Sequence, residues 1–175
     1  DPCALTDNKK SEELFKKGTN KKYDASKRYS YLKESLEEDP DCVECLEVIG
    51  TRAFKKAKAG GVAYTKPIQY FKHLVELCPD QHADPYYYLG AMYYSEGDLT
   101  NAVKYFQEFL AFDEAGDDKY SKDHEKKRGD VEEILPEAEF YATFYENEVP
   151  FDPVALDNVN TIGDEYLPML SPDNE

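Results

Sequence analysis

The chain has 175 residues, 41% of them apolar and 33% charged, which is enough for one domain with a real core. Thirty-seven acidic against 21 basic residues leave a net charge of −16. That charge repels phosphate backbones and anionic membrane surfaces, so it argues against nucleic-acid binding and favours basic proteins or peptides as partners, although acidity of this size also serves solubility alone. No run approaches the roughly 18 apolar residues that would span a bilayer. The chain opens Asp1-Pro2-Cys3 without an initiator methionine. An upstream segment is therefore expected to have been removed, and a processed signal peptide and an artificial boundary would both explain it.

In chain order, residues 1–8 are expected to form a short N-terminal tail, and residues 9–147 one helical domain. A first helical hairpin is expected from about Lys9 to Asp39, with Leu32 eight residues before Pro40. Its glycine position falls at Lys16 and its small second-helix position at Arg28, so it is degenerate. A second hairpin runs from Val43 to Cys78, with Leu46, Ile49, Gly50 and Phe71 in recurrent places and Phe71 again eight residues before Pro79. Gly50 to Pro67 is seventeen residues where the third hairpin has twelve. The excess sits around Ala59-Gly60-Gly61-Val62-Ala63 and predicts an enlarged loop.

The third hairpin is the clearest. Tyr86-x2-Leu89-Gly90-x2-Tyr93 is followed, twelve residues after the glycine, by Ala102-x3-Phe106, with Gly97-Asp98 between them. Gly90 and Ala102 let two antiparallel helices approach closely, and Leu89, Tyr93 and Phe106 are expected to fill their seam. Gly97 suits a left-handed helix end, and Asp98 or Thr100 can cap the next helix. This spacing resembles the tetratricopeptide (TPR) signature, with Tyr86 in place of the usual tryptophan. The resemblance implies an all-α superhelix of about three TPR-type hairpins, which binds rather than catalyses because one hairpin cannot bury its apolar face alone.

After the charged stretch Asp117 to Asp130, the residues Val131, Ile134, Leu135, Ala138, Tyr141, Ala142 and Tyr145 recur at three- and four-residue steps. They predict an amphipathic helix, or a pair kinked at Pro136, that caps the open end of the stack. From Glu148 onward Pro150, Pro153, Gly163, Pro168 and Pro172 exclude a long helix. Residues 148–175 read as an extended linker with a short strand at Tyr166 to Leu170.

Four cysteines, Cys3, Cys42, Cys45 and Cys78, permit three full connectivities. In an antiparallel hairpin the start of the first helix lies beside the end of the second, so Cys45–Cys78 is the expected bridge, with Cys3–Cys42 beside it. Such bridges imply an oxidising compartment, the periplasm or the cell exterior. Two other readings compete. Cys42-x2-Cys45 with Cys78-x3-His82 could hold zinc, although the interval fits no common finger. Cys42-x2-Cys45 at a helix start could be a redox pair, although no strand-helix-strand context surrounds it.

Catalysis finds little support. His73, His82 and His124 stand in polar or helical contexts, and no phosphate-binding glycine loop, nucleophile elbow or His-Glu-x-x-His motif occurs. Acidic pairs are expected by chance among 37 carboxylates. Asp113 to Lys119 lacks the ligand register of a calcium loop. No enzyme activity, metal or cofactor is expected. If the TPR resemblance holds, first-helix residues that avoid the hairpin seam line a concave groove: Glu47, Thr51 and Phe54 from the second hairpin, Tyr87, Ala91 and Tyr94 from the third. An aromatic, acidic groove suits an extended or helical peptide. The competing structural reading is that Phe54, Tyr87 and Tyr94 pack against adjacent repeats.

The end of the chain adds a second resemblance. Asp164-Glu165-Tyr166-Leu167-Pro168-Met169-Leu170-Ser171-Pro172-Asp173 resembles the entry strand of the WD40-like propeller in Bacteroidetes envelope proteins that carry an N-terminal TPR region, a propeller and often an OmpA-like domain. Val149-Pro150-Phe151 and Val159-Asn160-Thr161 resemble the connector of that architecture. Lys16-Lys17-Gly18 and Asp39-Pro40-Asp41-Cys42 are similar to its first region. The resemblance implies a periplasmic, outer-membrane-associated adaptor, docking another envelope protein in an assembly such as type IX secretion and gliding. Peptidoglycan would be reached only through a domain absent here. It also raises Cys3 as a lipid-bearing cysteine, which Asp1-Pro2 ahead of it argues against. A spacer that packs its TPR stack on its own propeller is the alternative.

Overall fold

The computed structural model describes residue 3 and residues 6–146. The expected linker at 148–175, its strand at Tyr166 to Leu170, its propeller-like motif and most of residues 1–5 lie outside the described residues.

The described chain is all-α. Helices α1 (Lys9–Thr19) and α2 (Ala25–Glu38), α3 (Val43–Gly60) and α4 (Thr65–Leu77), and α5 (Asp84–Glu96) and α6 (Leu99–Ala111) form three successive hairpins of TPR type. Each helix packs on the next, and α7 (His124–Glu146) covers α6 and touches α5. A 3-10 turn at Asp117–Lys119 lies in the connection before α7.

Local chemistry sets the boundaries. The side chain of Asn8 accepts from the backbone N–H groups of Lys10 and Ser11, and those of Asp24 and Asp98 accept from Lys27 and Asn101. Each satisfies orphan donors of a first helical turn. Asp98, one of the two expected caps of α6, holds the cap position. Gly97 takes φ of 80° at the end of α5, as its place in the signature predicts.

The seams follow small residues. A β-carbon on Gly90 would come within 2.6 Å of Phe106 Cε1, and one on Gly50 within 3.1 Å of the Phe71 ring. In the first hairpin the close approach belongs to Gly18, where a β-carbon would meet Leu32 at 2.7 Å, rather than to Lys16 as the spacing implied. This hairpin is two residues tighter because α1 ends one residue past Gly18 and a five-residue loop follows, whereas α5 runs six past Gly90 before a two-residue loop. Ser11 Oγ donates to the Ser35 carbonyl at 2.9 Å and Ser35 Oγ to the Ser11 carbonyl at 2.7 Å, with both serines fully buried. Two hydroxyls exchanging bonds with the facing backbone draw α1 and α2 together where the other hairpins use apolar rings.

The excess residues of the second hairpin also fall differently from the expectation. Helix α3 continues ten residues past Gly50, whereas α5 continues six past Gly90. The insertion is therefore mostly helix, the turn Ala57 to Gly60 with the good formers Ala57, Lys58 and Ala59, and Gly61 stops it at φ of 60°. The loop at 61–64 is four residues against two at 97–98.

Phe71, Leu74, Leu89, Met92, Phe106, Phe109 and Val131 form the buried centre, which reaches from the second hairpin to α7. Tyr86 is buried as its signature position requires, and its hydroxyl donates to the Pro79 carbonyl at 3.0 Å. Tyr93 is only half-buried, stacked flat on Tyr105 at 5.6 Å, because the seam is already filled by Leu89 and Phe106. Helix α7 is continuous through Pro136. It buries Lys127, Val131, Ala138 and Ala142 on one side, while Phe140 and Phe144 are 64% and 60% exposed on another.

Candidate functional site

Helices α3 and α5 carry all six expected groove residues, and all six are partly exposed. Aromatic rings connect the two sets. Phe54 packs against Tyr64 at 5.8 Å and against Tyr88 at 5.0 Å; Tyr88 stacks on Phe71 at 5.3 Å and meets Tyr87 at 5.7 Å; Tyr87 packs against Phe109 at 5.5 Å. The result is a continuous belt from the end of α3 to α6, in which Phe54 and Tyr87 are linked through Tyr88. Tyr94 touches Phe106 at 6.4 Å. Phe54 therefore packs on the neighbouring hairpin through Tyr88, whereas Tyr87 and Tyr94 pack on α6 of their own hairpin, and all three stay partly exposed. Such geometry suits a rigid apolar floor, because the rings lose little freedom when a ligand covers them.

Charges border this belt. Glu47 is burial-shifted: desolvation raises its carboxyl above the usual range, opposed by the nearby His82. At the start of α5, Asp84 accepts from Lys127 Nζ at 2.7 Å and from Ser121 Oγ at 2.8 Å. Lys127 also donates to Ser121 Oγ at 3.0 Å and pairs with Asp123 at 3.0 Å. Its ammonium lies 5.5 Å from the Tyr87 ring and 5.3 Å from the Tyr88 ring. Burial alone would lower the Lys127 ammonium, but its bonds to Asp84 and Asp123 outweigh that and hold it above the ordinary lysine value. This network pins α7 across the belt's end. Sequence reasoning missed Tyr88, Asp84 and Lys127, since a lysine in a charged run has no signal until the fold brings a buried carboxylate to it.

The cysteines pair otherwise than expected. Cys3 bonds Cys78 and Cys42 bonds Cys45, each pair with Cα atoms 5.2 Å apart. The expected neighbourhood is correct: Cys42 stands at the start of α3 and Cys78 at the end of α4. The partners differ because residues three apart at a helix start already face one another. Cys42 therefore reaches Cys45 locally, and the N-terminal segment brings Cys3 to Cys78. With all four sulfurs bonded, the Cys42/Cys45/Cys78/His82 zinc set is not available in this state. Among the described residues no group of three or more metal-capable side chains converges. The lone pair of His82 Nδ1 accepts from the Asp84 N–H at 3.0 Å. His73 meets Asp41 at 2.8 Å, and His124 packs against Phe109 and Tyr120.

No protein-family model matches the chain, nor does any curated protein.

Proposed function

We propose that this chain is a non-catalytic TPR adaptor that docks a protein or peptide partner on the α3/α5 face. The observation that carries the reading is the aromatic belt. It runs unbroken from Phe54 on α3 through Tyr88 and Tyr87 on α5, with partly exposed rings on a rigid stack. The compartment belongs to the same proposal. Two disulfides favour an oxidising environment, and the resemblance of the sequence to envelope TPR proteins favours the periplasm and an outer-membrane assembly such as type IX secretion.

The test is capture of a defined partner from envelope extract by the wild-type chain and by a Thr51→Arg/Ala91→Arg variant. These substitutions fill the groove with long charged side chains while leaving every ring of the belt in place. Loss of the partner with retained helicity supports the groove. Equal capture by both proteins refutes it. The exposed Phe140/Phe144 face favours a second reading, a spacer whose α7 packs on another domain of its own polypeptide. A spacer would yield no specific partner in either arm.

A further inference from the structure

A second concave site lies on the other side of α3, and its charge is opposite to that of the protein as a whole. Ala25, Ser26, Arg28 and Tyr29 of α2 and Arg52, Lys55 and Lys56 of α3 line a hollow of ≈ 450 Å³. Four cations meet there and no carboxylate lines it, in a chain with 37 acidic and 21 basic residues. Among the described residues the ion pairs are made by Lys10, Lys16, His73, His82, Lys127 and Arg128, and none of the four cations of the hollow takes part in one.

The sequence explains why the hollow exists. Arg28 stands four residues before Leu32, the position that Ala102 holds before Phe106 in the third hairpin. A long side chain therefore occupies a place built for a small one, and it is forced out along the α2/α3 cleft. Lys55 and Lys56, one turn after Arg52 on α3, line the same hollow. Arg28 Nε is buried and has no hydrogen-bond partner. Arg52 uses Nη1 to donate to the Gly18 carbonyl at 3.0 Å. Burial first, and then the Arg28 charge beside it, pushes the Arg52 guanidinium below its ordinary value. Two like-charged guanidiniums lining one hollow form a receptor for an oxyanion, since a carboxylate in that hollow would cancel their repulsion and accept from their exposed N–H groups.

The hollow continues past Tyr29 and Lys56, which also line a second concavity with Ala53, Ala57, Val62, Ala63, Thr65, Lys66 and Pro67. The cationic mouth thus adjoins a strip, apolar at Ala53, Ala57, Val62, Ala63 and Pro67, between α3, the 61–64 loop and the start of α4. We propose that this is a carboxylate-binding site that takes an acidic side chain of an extended peptide, with a neighbouring apolar residue on the strip beside Val62. The site is a hollow between two helices rather than a broad basic face, which favours a single inserted side chain over an anionic membrane surface. The site is separate from the α3/α5 belt and does not depend on its use.

The test is binding of a fluorescent, end-capped hexapeptide of alternating glutamate and valine, with the glutamine-for-glutamate peptide as control, at low and moderate salt. The glutamate peptide should bind at least about tenfold more tightly than the control, and Arg28→Gln/Arg52→Gln should remove about that factor, as expected for loss of a charge-assisted hydrogen bond. Should that variant fail to fold, Lys55→Gln/Lys56→Gln, at exposed positions, should still weaken binding about threefold through lost Coulomb attraction. Equal binding of the two peptides overturns the proposal, as does a lysine variant that binds like wild type. Binding of inorganic phosphate or of anionic vesicles without binding of the peptide assigns the cations to another occupant and equally overturns it.

Discussion

Single cysteine substitutions distinguish the observed bridges from the rival pairing by stability alone. In the chain-entropy account, a bridge stabilises by restricting the unfolded chain, with a term that grows as the logarithm of the loop it closes. Cys3–Cys78 spans 75 residues and Cys42–Cys45 spans 3, which correspond to about 4.5 and about 1.6 kcal/mol. Cys3→Ala should therefore cost about 3 kcal/mol more than Cys42→Ala. In urea, with a slope of roughly 2 kcal/mol per molar for a domain of this size, the midpoints should lie about 1.5 M apart. Under a Cys3–Cys42 bridge both substitutions would break the same bond, so their entropic costs would be equal. Equal midpoints would refute the assignment. A non-reducing tryptic map provides the chemical check: peptide 1–9 should remain joined to peptide 73–104, and peptide 34–52 should carry its bridge internally. Peptide 1–9 joined to 34–52 would refute it directly.

Three further outcomes are expected. Gly90→Ala should destabilise by about 1–3 kcal/mol from overpacking against Phe106, less the roughly 1 kcal/mol that alanine gains in helix propensity, whereas Gly50→Ala, with its nearest approach at 3.1 Å, should be close to neutral; thermal melts should rank them in that order. Lys127→Met leaves Asp84 shielded and unpaired, with only 13% of its side chain exposed, and should cost about 3–5 kcal/mol, read as lost hydrogen-exchange protection in α7 while α3 and α4 keep theirs. Because the folded Lys127 value is raised, its contribution is complete below the ordinary lysine value and should fade as pH rises through the folded one. Glu47→Gln should stabilise at neutral pH and lose that advantage under acid. Its folded carboxyl titrates above the unfolded one, so the penalty for ionising it exists only above that range; a Tm difference between the two proteins that stays constant with pH would exclude a buried charge at Glu47.

What could be read from the sequence was whatever depends on close packing at fixed spacing. Gly90, Ala102 and Phe106 must stand where they do for α5 and α6 to touch, so the third hairpin was legible to its cap at Asp98. The first hairpin is shifted by two residues because α1 stops one residue past Gly18, and the Ser11/Ser35 hydrogen bonds across its seam carry no repeat signature. The Ala59-Gly60-Gly61 stretch looked like a loop because glycine pairs break helices, yet only Gly61 does so here. The expected groove residues stand on α3 and α5, but their linkage through Tyr88 and the clamp from Lys127 depend on residues that are adjacent only after folding. The disulfides were misassigned for a related reason. Hairpin topology put three cysteines at one end correctly, but which two meet is decided within a single helical turn.

The bond from Cys3 to Cys78 also gives this stack a direction. A linear array of repeats held only by neighbours can peel from either end, since each terminal unit has one interface to lose. Here the first two hairpins lie inside a covalent ring, so tension on the N-terminal end is carried by sulfur into the end of α4 before α1 or α2 bears any load. The other end has no such tether among the described residues, and α7 is held there by side-chain packing and the Lys127 network. Under mechanical load or thermal fraying, opening is therefore polarised: it starts at α7, and the N-terminal hairpins serve as the fixed anchor.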